Sequence, residues 1–181
     1  MIVKSFEISK LNQQKSNLIL LYGDNEGFKN QVIKEYFIEK NKNKKIERYE
    51  EAEIFNNYES FISTLMNKSF FDNEKIIIVS RITEKILILV EEILLKEIKD
   101  VIVILNSKSI EKKSKLRIFF EKKNDVVCIP FYLDEANTLN SIANIFFKKL
   151  KIPISREAIN LIVERCNGDR KNLNNELEKI K

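Results

Sequence analysis

The chain has 181 residues, of which 44% are hydrophobic and 33% charged, and its formal net charge is +5. This length fits one full domain and a smaller one with a real hydrophobic core. The absence of histidine excludes a Ser-His-Asp triad, a Cys-His dyad and an imidazole zinc site. Because the apolar runs are too short for a membrane helix and the start lacks a signal-peptide core, we expect a cytoplasmic protein.

Short apolar segments alternate with amphipathic segments over most of the chain. We predict strands at residues 18–22, 45–49, 75–80, 101–105 and 125–130, and helices at residues 26–38, 58–66, 83–98 and 108–123. Strands such as 76–79 are apolar throughout, which is typical of a parallel sheet buried on both faces. We therefore predict an α/β fold in which helices cover both faces of a parallel sheet.

Strand patterns stop in the last quarter of the chain. Residues 139–150 carry an apolar stripe with helical spacing, while Ser155 and Asp169 are predicted N-caps of two further helices. We predict an α/β domain at residues 1–134 and a small all-helical domain at residues 135–181. The last helix continues to the final residue, so we expect the helical domain to be truncated.

The glycine after the first predicted strand calls for a test against the phosphate loop, whose pattern is G-x-x-x-x-G-K-[ST]. Counting from Gly23, Lys29 is in register, but Phe28 replaces the second glycine and Asn30 replaces the hydroxyl residue. Gly27 comes one residue early, and Phe28 would crowd the phosphate path. A lysine on a solvated helix turn is a sufficient explanation of Lys29.

The acidic residues of an ATPase are also missing. A carboxylate pair after the third strand would hold magnesium and activate water, but Ser80 and Arg81 stand there. We therefore predict no nucleotide hydrolysis, no cofactor and no metal. Cys128 and Cys166 lie far apart in no metal-binding spacing, and we predict that both are buried thiols.

Four segments, at residues 20–26, 69–79, 113–122 and 164–179, together resemble the delta subunit of the bacterial DNA polymerase III clamp loader. They follow one another in the family's order and cover nearly the whole chain. The match extends over the family's first two domains, without the third, collar domain. The resemblance implies an AAA+-type fold with a helical lid-like domain and without ATPase activity. The degenerate nucleotide loop implied by the first segment comprises Gly23, Asp24, Asn25, Glu26, Gly27 and Lys29.

The resemblance further implies that this chain binds and opens the sliding clamp through a hydrophobic pair. The matching residues are Phe70 and Phe71, where the family usually has Leu-Phe. Two aromatic residues before a strand are, by themselves, more often core than ligand. However, two consecutive side chains cannot easily both face inward at a helix-to-strand junction. A pair flanked by Lys68 and Asp72 also suits an interface hot spot with a polar rim.

The predicted helix at residues 108–123 is basic and forms the second candidate surface. Its candidate contacts with DNA or with a neighbouring subunit are Lys112, Lys113, Lys115 and Arg117. The chain has 26 Lys but only 6 Arg, together with 28 Ile and 20 Asn, a bias expected of a genome rich in A and T. This bias favours a solvated surface over a dedicated nucleic-acid stripe.

The implied partners are those of a replicase: the sliding clamp (beta subunit), the gamma/tau and delta prime subunits of the loader, and primer–template DNA, with no membrane. One alternative is an ATP-dependent AAA+ motor subunit, which the missing loop residues and acidic pair argue against. Another is a non-catalytic DNA-binding module. The lack of arginine-rich or aromatic-interleaved basic segments weakens that alternative.

Overall fold

A computed structural model describes residues 1–10, 17–66, 75–98 and 101–181, with side chains for all of these except residues 9 and 10. The described residues form two compact units. The sheet unit consists of Met1–Tyr22 and Lys34–Pro130, and the helical unit consists of Gly23–Ile33 and Phe131–Lys181. The predicted division at residue 134 places residues 23–33 with the sheet, whereas their contacts place them in the helical unit.

The sheet unit is built on a five-stranded parallel sheet. Along the chain the strands are β1 (Leu18–Tyr22), β2 (Lys45–Glu50), β3 (Lys75–Ser80), β4 (Val101–Asn106) and β5 (Val127–Pro130). Their order across the sheet is β2-β3-β4-β1-β5, with Leu18 opposite Val103 and Ile19 opposite Val127. The predicted parallel α/β sheet is confirmed.

Helices precede, separate and follow the strands. In chain order they are α1 (Glu26–Val32), α2 (Glu51–Asn56), α3 (Tyr58–Met66), α4 (Leu87–Leu95), α5 (Lys115–Lys122), α6 (Ala136–Leu150), α7 (Arg156–Arg165) and α8 (Arg170–Ile180). Short 3-10 segments span Ser5–Lys10, Glu39–Asn41 and Glu84–Ile86, and a π-helical segment spans Ile33–Ile38. Within the described ranges, no helix combines the length and the apolar character that crossing a bilayer requires.

The prediction of a basic helix at residues 108–123 is wrong for residues 108–114. α5 begins only at Lys115, because Ser114 has an extended backbone with a ψ of 134°. Serine competes for backbone hydrogen bonds outside helices, which makes it a frequent helix boundary. The guanidinium of Arg117 donates a hydrogen bond to the carbonyl of Ile110 at 3.2 Å and so ties the preceding loop to the helix.

No sequence periodicity predicts α2, because six residues are too few to show a helical stripe. The helix is stabilised by a capping box, in which Glu50 and Glu53 each accept a hydrogen bond from the other's backbone amide. Residues 26–38 also differ from the prediction of a single α-helix. Their hydrogen-bond pattern changes from α to π after Val32.

The core of the sheet unit covers both faces of the sheet. On one face, strand residues such as Leu20 and Val103 pack in one cluster with Phe120 of α5. Residues of the opposite face, such as Ile19 and Ile104, are also fully buried. Burial on both faces explains why these strands are apolar without alternation.

The helical unit has a separate core. Leu139, Ala143 and Phe147 of α6 pack against residues of α7 and α8, among them Leu173 and Leu177. The predicted N-caps are confirmed. The Ser155 hydroxyl accepts a hydrogen bond from the Ala158 amide at 3.2 Å, and Asp169 accepts one from the Lys171 amide at 2.7 Å.

Each unit contains one cysteine, and both thiols are free and buried, as predicted. Burial raises the pKa of Cys128 to about 12 and also raises that of Cys166. Because the thiolate is the reactive form, both side chains serve as small core residues and not as nucleophiles.

Replacing Phe120 with alanine should lower the free energy of unfolding by about 3–5 kcal/mol, because the ring is fully buried and leaves a cavity. Phe6→Ala is the matched control. Because the Phe6 ring is 73% exposed, its removal should lower the free energy of unfolding by less than about 0.5 kcal/mol. Urea unfolding followed by circular dichroism measures both. Equal losses in the two variants would contradict this account of the core.

Candidate functional site

The predicted degenerate nucleotide loop begins at Gly23, directly after β1. Gly23 has a φ of +125°, a backbone conformation that residues with a side chain rarely adopt. A Cβ atom on this residue would also lie 2.1 Å from the carbonyl oxygen of Phe131. This glycine is therefore required by the path of the chain, whether or not a phosphate binds nearby.

Asn25 organises the start of α1. Its side-chain oxygen accepts a hydrogen bond from the Phe28 amide at 3.1 Å, which caps the helix. Its side-chain nitrogen donates to the Asp134 carboxylate at 2.8 Å and to the Tyr132 carbonyl at 3.1 Å. Asn25 is fully buried, so this network links the loop to the segment that precedes α6.

Gly27 is the point at which α8 touches α1. A Cβ atom on Gly27 would lie 2.0 Å from the backbone nitrogen of Lys171 and 2.6 Å from the carbonyl carbon of Arg170. The Gly27 amide also donates a hydrogen bond to the Asp169 carboxylate at 3.2 Å. Gly27 is therefore a packing glycine that allows two helix backbones to meet.

Lys29 is not the solvated lysine that the sequence predicts. Its side chain is fully buried, and its ammonium group lies 2.7 Å from the Glu26 carboxylate. Burying a lysine is costly unless its charge is paired, so Glu26 is a required partner. The ammonium that would reach the terminal phosphates of a nucleotide is instead held by a carboxylate one helical turn earlier.

Arg170, at the start of α8, connects this loop and α1 to the segment before α6. Its guanidinium forms a two-pronged ion pair with Asp134, with nitrogen–oxygen distances of 2.6 and 3.0 Å. It also donates to Gln31 at 3.2 Å and lies 3.6 Å from the centre of the Phe28 ring. Such bidentate and stacked geometry is a property of arginine that lysine cannot reproduce.

Asp134 and Arg170 are contact residues of this loop that sequence reasoning misses. They are 36 positions apart, and no motif or periodicity pairs them. Asp169 is predicted only as the cap of its own helix, whereas it also accepts a hydrogen bond from Gly27. Phe28, predicted to crowd a phosphate, packs edge-on against Phe131 with ring centres 5.2 Å apart.

The four candidate basic residues are not equivalent. Lys112, Lys113 and Lys115 are exposed, and Lys113 lies 3.2 Å from Glu111. The Arg117 side chain is only 14% exposed, lies 2.7 Å from Glu121 and stacks over the Tyr22 ring at 4.9 Å. Arg117 therefore has a packing role, whereas the three lysines are available to a partner.

An open cavity of about 490 Å³ lies beside these lysines in the sheet unit. Its lining includes Ile82, Glu84, Ile110, Ser114 and Leu116. The Lys115 amide at the start of α5 donates a hydrogen bond to Glu84 at 2.8 Å. A carboxylate of the chain therefore already occupies this helix N-terminus, which makes the cavity a poor phosphate site.

Ser80 and Arg81 stand at the carboxyl end of β3, where an ATPase would have an acidic pair. Arg81 follows the strand, and its guanidinium pairs with Glu50 at 3.0 Å. In the part of the chain that the structure describes, no group of three or more acidic or cysteine residues is arranged to hold a metal ion. The predicted clamp-binding residues Phe70 and Phe71 lie outside the described residues, and their role stays a prediction.

Comparisons with known proteins identify the fold. No family model and no curated protein matches the sequence. Among solved structures, the Bacillus subtilis DNA clamp loader delta protein (YqeN) aligns with 97% of this chain at a TM-score of 0.56 and 14% identity. Domain III of the Thermotoga maritima replication initiation protein DnaA aligns with 93% of this chain and 76% of its own length, at a TM-score of 0.47 and 13% identity.

The first likeness shows that this chain has a fold like that of a clamp loader delta protein. The chain spans 56% of the length of that structure. At this level of identity the likeness concerns the fold alone.

Gly27→Ala tests whether the loop is closed. Helix propensity alone would make the substitution stabilising by up to about 1 kcal/mol. Because the new methyl group would overlap the α8 backbone, we expect a loss of about 1–3 kcal/mol in the free energy of unfolding. Asn30→Ala, at an exposed position of the same helix, is the control and should be neutral or stabilising. Stabilisation by Gly27→Ala would show that α8 does not pack on α1.

Proposed function

We propose that this chain is a clamp-loader subunit that binds and opens the sliding clamp during DNA replication and does not hydrolyse ATP. The observation that carries the proposal is a delta-like fold over 97% of the chain whose nucleotide loop is filled by the chain's own groups. In this proposal the subunit acts in the cytoplasm within a DNA polymerase holoenzyme. Its partners there are the clamp, the gamma/tau and delta prime subunits, and primer–template DNA.

The contacts in the loop argue against the alternative of an ATP-driven motor. A phosphate loop works because its backbone amides and its lysine are free to surround phosphate oxygens. Here the Gly27 amide donates to Asp169, and the Lys29 ammonium is buried against Glu26. A nucleotide would have to displace both carboxylates and separate α8 from α1 before its phosphates could bind.

Phe70 and Phe71 are the residues we assign to clamp binding. They lie in the segment between α3 and β3. Burying a phenylalanine stabilises an interface by about 1.5–3 kcal/mol, so that two adjacent rings suffice as its main anchor. Lys68 and Asp72 flank them in the sequence and supply a polar rim.

Phe70→Ala/Phe71→Ala should abolish binding to the sliding clamp of the same organism in a calorimetric titration. The matched control is Phe6→Ala/Tyr132→Ala, which removes two aromatic rings that are 73% and 68% exposed. We expect the control to bind like the wild type. A folded wild-type chain without clamp affinity would refute the proposal, and equal losses in both double variants would refute the assignment of the hot spot.

The exposed lysines favour a second, weaker contact with DNA. Lys112, Lys113 and Lys115 form a short basic cluster at the start of α5. Lysine at a helix N-terminus is unfavourable for the helix dipole, so Lys115 gives no stability to α5. Phosphates of primer–template DNA would compete with Glu111 and Glu84 for this cluster, and binding would be independent of sequence.

Lys112→Ala/Lys113→Ala/Lys115→Ala should weaken binding to a primer–template duplex and reduce the salt dependence of the affinity. The slope of log K against log salt should fall by up to about 3, roughly one for each phosphate that a lysine no longer neutralises. Fluorescence anisotropy over a series of salt concentrations measures the slope. Lys42→Ala/Lys148→Ala/Lys149→Ala removes three other exposed lysines, and an equal change in that control would contradict a specific contact.

A further inference from the structure

The helical unit brings two helix N-termini into direct contact. The N-terminus of α1 at Gly27 meets the N-terminus of α8 at Arg170 and Lys171. Each helix carries about half a positive charge at this end, and the side chains of Arg170 and Lys171 add positive charge. Such an arrangement is unfavourable unless negative charge lies between the two ends.

The two cap residues bridge this contact reciprocally. The Asp169 carboxylate caps α8 through the Lys171 amide at 2.7 Å and accepts the Gly27 amide of α1 at 3.2 Å. The Asn25 side chain caps α1 through the Phe28 amide at 3.1 Å and accepts the Arg170 amide at 3.4 Å. Each cap therefore serves both helices, and separating the helices would break the bonds from Gly27 to Asp169 and from Arg170 to Asn25.

Arg170 makes this contact specific. Its side chain is 14% exposed and pairs with Asp134, whose side chain is 9% exposed. Asp134 in turn accepts a hydrogen bond from Asn25, the cap of α1. The guanidinium also covers the Phe28 ring of α1. One side chain thus contacts the α1 helix, the segment before α6 and, through Asp134, the opposite cap.

We propose that Asp169 and Arg170 form a built-in lock that holds α8 on the N-terminus of α1, so that the helical unit keeps one conformation without any ligand. Asp169 supplies the negative charge that this helix junction needs, and Arg170 is the positioning residue that keeps it closed. The lock is independent of the proposed clamp binding, because all of its contacts lie within the helical unit.

Amide hydrogen exchange of the full chain, followed by NMR, tests the lock. In the wild type, the amides of Gly27, Phe28, Arg170 and Lys171 should be protected and should open with one common equilibrium. Addition of ATP with Mg²⁺ should leave their rates unchanged. Unprotected amides in the wild type, or protection that increases with ATP, would overturn the proposal without any variant.

Arg170→Lys keeps the positive charge but removes the two-pronged geometry. We expect the four amides to exchange faster together by at least ~10-fold, because a nearly buried ion pair loses its two-pronged geometry. Amides of β1 and β4 should not change. Arg165→Lys, at an exposed arginine of α7, is the matched control and should have no effect.

A second variant separates the lock from general stability. Asp134→Asn should accelerate the same amides, and the double variant with Arg170→Lys should add little, because both remove one interaction. If Arg170→Lys accelerates only α8 and leaves the Gly27 amide unchanged, α8 opens by itself and the lock does not exist. Additive effects of the two variants would also contradict it.

Discussion

The meeting of two helix N-termini is the constraint on which the helical unit depends. The positive ends of the α1 and α8 helix dipoles face each other at Gly27. The Asp169 carboxylate lies between them and makes this close approach favourable. Because Gly27 has no Cβ atom, the backbones of α1 and α8 can approach each other this closely. Asn25, Asp134 and Arg170 then fix the direction from which α8 arrives.

This constraint explains how the loop after β1 can contain glycines and a lysine whose polar groups are bonded within the chain. In a phosphate loop, the amides and the lysine are left free for a ligand, which is why the loop must be glycine-rich. Here the same residue types satisfy one another: Gly27 admits a helix, and Lys29 pairs with Glu26. Packing and charge pairing alone therefore account for Gly27 and Lys29 at this place in the fold.

The sheet could be predicted from the sequence because its signal is local. Strand segments such as residues 18–22 and 76–79 are apolar throughout, and the caps Ser155 and Asp169 have a recognisable side-chain chemistry. The start of α5 is harder to place, since the decisive feature is the extended backbone of Ser114 within a lysine-rich run.

The site could be predicted only in outline. The Phe28 and Asn30 residues, which stand where a phosphate loop has its glycine and hydroxyl residues, predict a degenerate loop, and that role stays a prediction. What fills the loop depends on residues such as Asp134 and Arg170, which are distant in sequence and meet only in the folded chain. The burial of Lys29 has the same origin, because burial is a property of tertiary packing and not of a helical turn.

The distribution of the two thiols gives each unit an internal reporter of its own opening. Cys128 is a member of the core cluster of the sheet unit, and Cys166 is a member of the core cluster of the helical unit. A maleimide reagent can reach either sulfur only when the surrounding core opens. The labelling rates at the two positions, resolved by mass spectrometry of proteolytic fragments, would therefore report the opening of each unit separately. No cysteine has to be introduced or removed for this measurement.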